Sequence, residues 1–166
     1  MRFNLVDRIL EVEDKRIRAV KQLTLGEEYL ADHFPTFPVL PGVLMLEALA
    51  ETGAWFLRVR DDFRHSIIVL RDARNVKYGT FMEPGRQMIL TVELLEEAGD
   101  RVTFKGKGEV DDNLTVSAKF TLGQYNLRER NPAWQACDDR IVEHLRSLFL
   151  VLAKAEFASQ RLAVGP

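Results

Sequence analysis

The sequence predicts an α+β fold in which an antiparallel sheet wraps around one buried helix. Three observations lead there. Residues 43–58 are apolar on nearly every side of a helix, as befits a helix surrounded by protein. Residues 101–110 and 114–122 alternate apolar and polar side chains with period two, the pattern of strands with one buried face. A buried helix and one-faced strands are both satisfied when the sheet curls over the helix. The length of 166 residues, 46% of them apolar, suits one core of ordinary size.

The elements follow in order. Ile9 to Glu13 and Arg16 to Thr24 read as a hairpin around Asp14-Lys15, with Ile17, Ala19 and Leu23 on one face. Leu25 to Ala31 reads as a short helical turn. Asp32 to Pro41 holds Pro35, Pro38 and Pro41, which remove donors and fix φ, so it is a rigid irregular loop. Pro41 suits the first turn of a helix. From Val43 to Arg58 no proline intervenes, and Ala, Leu, Met and Glu favour helix. Ser66 to Leu70 and Asn75 to Phe81 read as an irregular pair of runs, and Gln87 to Glu96 as a strand after the Pro84-Gly85 turn. Val102, Phe104, Gly106, Gly108 and Val110 share the buried face of one strand. Leu114, Val116, Ala118, Phe120 and Leu122 share that of the next, across a turn at Asp111-Asp112-Asn113. Gly106 and Gly108 leave room for a close approach, for which the central helix is the candidate. In the tail, Ile141, Leu145, Leu148, Leu152 and Ala155 recur at helical spacing, and Leu148 to Ala153 is apolar on all sides. The division expected is a sheet-and-helix domain over 1–123 and a helical extension over 124–166.

Composition excludes several classes of function. Twenty-three basic against 25 acidic side chains leave a net charge of −2, with no basic field to neutralise nucleic-acid phosphates. One cysteine, Cys137, rules out an intramolecular disulfide and any multi-cysteine zinc site. The stretch Val39 to Leu57 is broken by Pro41, Gly42, Glu47 and Glu51, so it is no membrane span. Charges at Asp7 and Arg8 leave no apolar signal core. The expectation is a soluble cytoplasmic protein.

Two residues stand out chemically. Glu47 falls in the middle of the buried helix, where an unpaired carboxyl should be pushed up in pKa. Glu51 lies one turn on, adding like-charge repulsion. His33 precedes the proline loop that leads into this helix. A protonated carboxyl and a neutral imidazole form an acid/base pair near pH 7. The blander readings are a glutamate paired with Arg58, Arg60 or Arg71, and a histidine that only caps a turn.

The segment His33-Phe34-Pro35-Thr36-Phe37-Pro38-Val39-Leu40-Pro41-Gly42-Val43-Leu44-Met45-Leu46-Glu47-Ala48-Leu49-Ala50 resembles the active-site motif of the FabZ-type 3-hydroxyacyl-acyl-carrier-protein dehydratases. That motif has His-Phe-Pro, then Pro-x-x-Pro-Gly-Val-Leu, then Glu-Ala, with the same fourteen-residue spacing from His to Glu. Asn75 to Gly85, Phe104-Lys105-Gly106 and Val110-Asp111 are similar to the family's later strands. The resemblance covers Leu5 to Leu122. It departs at Thr36 and Phe37 after His-Phe-Pro, at Glu51 where Gln is common, and at Arg86 where Asp is common.

The resemblance implies a hotdog fold and removal of water from 3-hydroxyacyl thioesters to give trans-2-enoyl thioesters. It implies no metal or redox cofactor, the substrate riding on the phosphopantetheine arm of acyl carrier protein. It also implies homodimers, assembling as a trimer of dimers in some members, with His33 of one subunit facing Glu47 of the other. His33 then serves as base at C2 and Glu47 as acid to the leaving hydroxyl. The amides of Gly42 and Val43 at the helix N-terminus hold the enolate oxygen, and Pro35, Pro38 and Pro41 shape the loop. Acyl carrier protein is acidic, so Arg71, Arg74, Lys77 and Arg86 are candidates for docking it. Phe56, Phe81, Met82 and Met88 are candidates for lining an acyl tunnel. The alternatives are an acyl thioesterase of the same fold and a non-catalytic subunit that binds acyl carrier protein.

Overall fold

The computed structural model describes residues 4–153. The hairpin forms as expected, β1 (Arg8–Val12) pairing antiparallel with β2 (Arg16–Gln22). Lys21 of β2 is buried, and its Nζ donates to Glu27 Oε1 at 2.6 Å. That bond fastens the start of the following 3-10 turn, Glu28–Ala31, which leads into the proline loop. Helix α1 (Gly42–Arg60) comes next, then β3 (Ile67–Tyr78), β4 (Gln87–Ala98), β5 (Arg101–Val110) and β6 (Asn113–Tyr125). Among the described residues these six strands form one antiparallel sheet in the order β1-β2-β4-β5-β6-β3, curled over α1. Helix α2 (Gln135–Leu152) follows.

The buried face of β5 is the predicted one, and Phe104 stacks on Phe120 of β6 at 5.6 Å and meets Phe56 of α1 edge-on at 5.8 Å. A Cβ on Gly106 would lie 3.2 Å from Leu49 of α1 and 3.0 Å from Phe120, so the helix does use this gap, through a side chain. At Gly108 the approach comes instead from Met88 and Val116 on neighbouring strands.

Four expectations are corrected. The two runs around residues 66–81 are one strand, β3. Register shifts between Leu70 and Asp72 and between Arg74 and Lys77, with Asn75 at φ +53°, scramble its alternation. Leu114 is exposed and Thr115 buried, because a shift at Gly108/Glu109 sets Leu114 opposite Glu109. Helix α1 is enclosed all round only from Thr52 to Leu57; near its N-terminus Val43 is 70% exposed and Leu44, Leu46 and Glu47 are half-buried. In α2, Leu150 and Val151 face outward.

Phe149 of α2 packs on Trp55 at 6.3 Å and on Phe63 at 5.9 Å, so this helix covers its own domain at the C-terminal end of α1. Strand β6 runs to Tyr125, two residues past the expected boundary at 123. Ala155 lies outside the described residues. Among the described residues no helix is long and apolar enough to cross a membrane.

Candidate active site

Gly42 opens α1, and Pro41 stands just before it as the cap rather than inside the first turn. The Pro41 carbonyl accepts the first helical bonds, from Leu44 N at 2.9 Å and Met45 N at 3.1 Å. Gly42 and Val43 therefore occupy the first turn, where an amide N–H has no acceptor within the helix and the helix dipole favours negative charge. Tyr78 of β3 lays its ring on Gly42, so a Cβ there would sit 3.0 Å from Tyr78 Cε1. The close approach that requires this glycine within one chain is thus an aromatic ring from the strand.

The proline loop is pinned at several points. His33 N donates to Tyr29 O at 3.1 Å, Phe37 N to Phe34 O at 2.7 Å, and Leu40 N to Met82 O at 2.9 Å. The His33 ring lies 4.4 Å from that of Phe34, whose φ of +49° is strained for a bulky residue. Phe37 meets Phe81 edge-on at 5.7 Å. Phe34, Phe37 and Phe81 are all exposed. The loop thus presents His33, half-buried, beside an exposed aromatic group.

Glu47 lines a cavity of about 390 Å³. One face of α1 supplies Glu47, Glu51, Ala54 and Arg58, at the spacing of successive helical turns. Strand β3 adds Ile68 to Leu70, α2 adds His144, Leu145 and Leu148, and the N-terminal segment adds Asn4. Glu51 Oε2 accepts from Leu5 N at 2.7 Å and Val6 N at 3.1 Å. Burial pushes the Glu51 carboxyl up to about 7 against these two donors; Glu47 adds to the rise and Arg58 opposes it. Glu47 and Glu51 are both half-buried in one chain.

Arg58 forms no ion pair among the described residues, and its Nε is buried without a hydrogen-bond partner. Its guanidinium lies 5.1 Å from the Trp55 ring centre, and burial lowers it to about 10, with Glu51 opposing. Arg60 pairs elsewhere, with Asp61 and Glu97. His33 is not among the residues lining the Glu47 cavity. One chain brings the two glutamates together and leaves the histidine outside.

The expected tunnel residues fall elsewhere: Phe56, Met82 and Met88 are buried in the core, Phe81 is 68% exposed, and none lines this cavity. Of the expected docking cations, Arg71 lies 5.7 Å from the Tyr125 ring, Arg74 pairs with Asp72 at 2.7 Å, and Arg86 pairs with Asp111 at 2.5 Å. Lys77 lines a groove on the outer face of the sheet together with Lys105, Lys107 and Lys119. Those last three escaped the sequence reading, although the polar phase of the β5 and β6 alternation is where they stand. Asn4, Tyr78 and His144 were missed too. They reach the site from distant parts of the chain, and no spacing signals them.

Comparison with known proteins shows the family and the fold. The sequence profile of the FabA-like domain matches residues 1–119. The chain is 35% identical over 118 residues to 3-hydroxyacyl-[acyl-carrier-protein] dehydratase FabZ of Streptococcus equi subsp. zooepidemicus, covering 71% of this chain and 84% of that one. It is 36% identical over 118 residues to the FabZ of Streptococcus uberis, with the same coverage. Among solved structures, the dehydratase heterocomplex ApeI:P from Xenorhabdus doucetiae aligns with a TM-score of 0.65 at 17% identity, over 80% of this chain and 90% of that chain. The smu.793 protein of Streptococcus mutans, bound to acetyl CoA, aligns with a TM-score of 0.57 at 9% identity, over 75% and 91%. The fold is the hotdog, and the chain belongs to the FabA-like family.

Proposed function

We propose that this protein is a 3-hydroxyacyl-acyl-carrier-protein dehydratase of fatty-acid biosynthesis, acting as a homodimer with shared active sites. The observation that carries the reading is Glu47 at the mouth of a cavity, about one and a half turns along α1 from the first-turn amides of Gly42 and Val43, joined by the family's dehydratase motif to His33. The reaction follows from those groups. Neutral His33 takes the C2 proton of the 3-hydroxyacyl thioester. Charge moves onto the thioester oxygen, where the Gly42 and Val43 amides and the helix dipole stabilise it. The C3–O bond then breaks as Glu47 passes its proton to the hydroxyl, which leaves as water. The electron pair forms the C2–C3 double bond, and the proton on His33 returns to Glu47 for the next turnover.

Three features support the dimer. Strand β3 is twelve residues long and lies at the end of the sheet, its outer edge unpaired among the described residues. An edge of that length invites pairing with another chain. The exposed side chains of Val43, Tyr78, Phe34, Phe37 and Phe81 surround the α1 N-terminus and the loop. The separation of His33 from the Glu47 cavity within one chain is what a shared site requires. Lys77, Lys105, Lys107 and Lys119 offer acyl carrier protein a basic groove despite the overall charge of −2. A cytoplasmic setting fits the single cysteine.

Incubation of the purified protein with 3-hydroxyacyl-acyl-carrier protein, followed by mass, should show loss of water. His33→Ala and Glu47→Gln should each lower turnover by about a hundredfold or more with the fold intact. Full activity in both variants contradicts these roles. Release of free thiol without an enoyl product would make the protein a thioesterase.

A further inference from the structure

The cavity that holds Glu47 runs along α1 and ends beneath α2. Glu47 and Arg58 are separated by about 16 Å of helix. Glu51 stands one turn beyond Glu47, its carboxylate tied to the backbone of Leu5 and Val6. At the far end are Arg58, with its buried unpartnered Nε, and His144, Leu145 and Leu148 of α2. Helix α2 is held there by the packing of Phe149 on Trp55 and Phe63. Arg146 adds a bond from Nη2 to the Asp62 carbonyl at 2.7 Å and one from Nη1 to its carboxylate at 2.9 Å. This helix lies outside the residues matched by the FabA-like profile.

An alkyl chain leaving the reacting carbons would first pass Ala50 and the β3 side chains Ile68 to Leu70, which favour it, and Glu51, whose carboxyl is already engaged by Leu5 and Val6. Further on it would meet Arg58 and His144. A hydrocarbon there strips water from ionisable groups and returns no hydrogen bonds, which is unfavourable. Resting on the dehydratase reading, we propose that Arg58 and the α2 residue His144 form a polar end wall that restricts the enzyme to short acyl chains. The family's sheet and helix thus supply the chemistry, and the added helix sets the length of the substrate.

The test is the ratio of kcat/KM for long and short chains, measured on the full-length protein with 3-hydroxybutyryl-, 3-hydroxyhexanoyl-, 3-hydroxydecanoyl- and 3-hydroxyhexadecanoyl-acyl carrier protein. The wild type should lose about tenfold or more between the hexanoyl and decanoyl substrates. The double variant Arg58→Met, His144→Leu should narrow that gap, and Arg58→Met alone serves if the double variant does not fold. Because each ratio is taken within one preparation, partial misfolding does not imitate the effect. A wild type that accepts all four substrates equally overturns the proposal, as does a variant whose ratio is unchanged. Absence of turnover on every substrate would refute the dehydratase reading instead. The wall is then decided by calorimetry with butyryl- to hexadecanoyl-pantetheine, where tighter binding of the longest chain overturns it and weaker binding supports it.

Discussion

Glu47 and Glu51 lie one helical turn apart and line the same cavity, yet they have different surroundings. Glu51 receives two backbone N–H groups and is raised by burial to about 7. A carboxyl raised on folding binds its proton more tightly in the native state. Its contribution to stability is therefore fully present below its unfolded value of 4.5 and is lost as pH rises to about 7. Glu51→Gln keeps an acceptor for Leu5 and Val6 and removes the charge. Thermal unfolding should show the variant matching the parent near about pH 4 and exceeding it by about 2 kcal/mol near about pH 8. Parallel stability curves across that range would contradict the assignment. The sequence pointed to two acids on one helix and took Glu47 as the enclosed one. What sets Glu51 apart is its bond to Leu5, 46 positions away in the chain, and helical spacing carries no record of that contact.

At the level of elements, α2 is fastened by Asp138, which is buried. Its carboxylate accepts from Ser66 Oγ, from Leu127 N at 2.9 Å and from Arg128 N at 3.0 Å. Burial alone would raise this group, but the bonds from Ser66, Arg128 and Leu127 outweigh it and hold it below the usual carboxylate range. Asp138→Ala leaves three donors without their acceptor and should cost about 2 kcal/mol in denaturant unfolding. An unchanged midpoint would mean that α2 is held by its other contacts, the packing of Phe149 and the bonds of Arg146 to Asp62. Helix α1, the first hairpin and β4 to β6 were legible because period and turn chemistry agree along each of them. Strand β3 was not, since its two bulges break the alternation that marks a strand. The Leu114/Thr115 inversion has the same cause at smaller scale. Neither Asp138 nor its partners form a local pattern, so the docking of α2 could not be read from its heptad-like spacing.

For the whole molecule, the hotdog sheet leaves one end of α1 and the β3 edge uncovered, and the proposed site needs a second copy there. The apolar run from Val43 to Phe56 predicted a helix enclosed on all sides. The exposure of Val43 and the half-burial of Glu47 are what that prediction missed, because hydrophobicity does not distinguish a core from an interface. The dimer was legible only through the dehydratase motif. Mixing the two inactive variants tests the shared site directly. His33→Ala and Glu47→Gln subunits, unfolded together and refolded, should recover about a quarter of wild-type dehydration, since half of the dimers are mixed and each mixed dimer has one intact site. Activity that stays at the level of the separate variants, with mixed dimers shown to be present, would contradict an active site built from His33 of one subunit and Glu47 of the other.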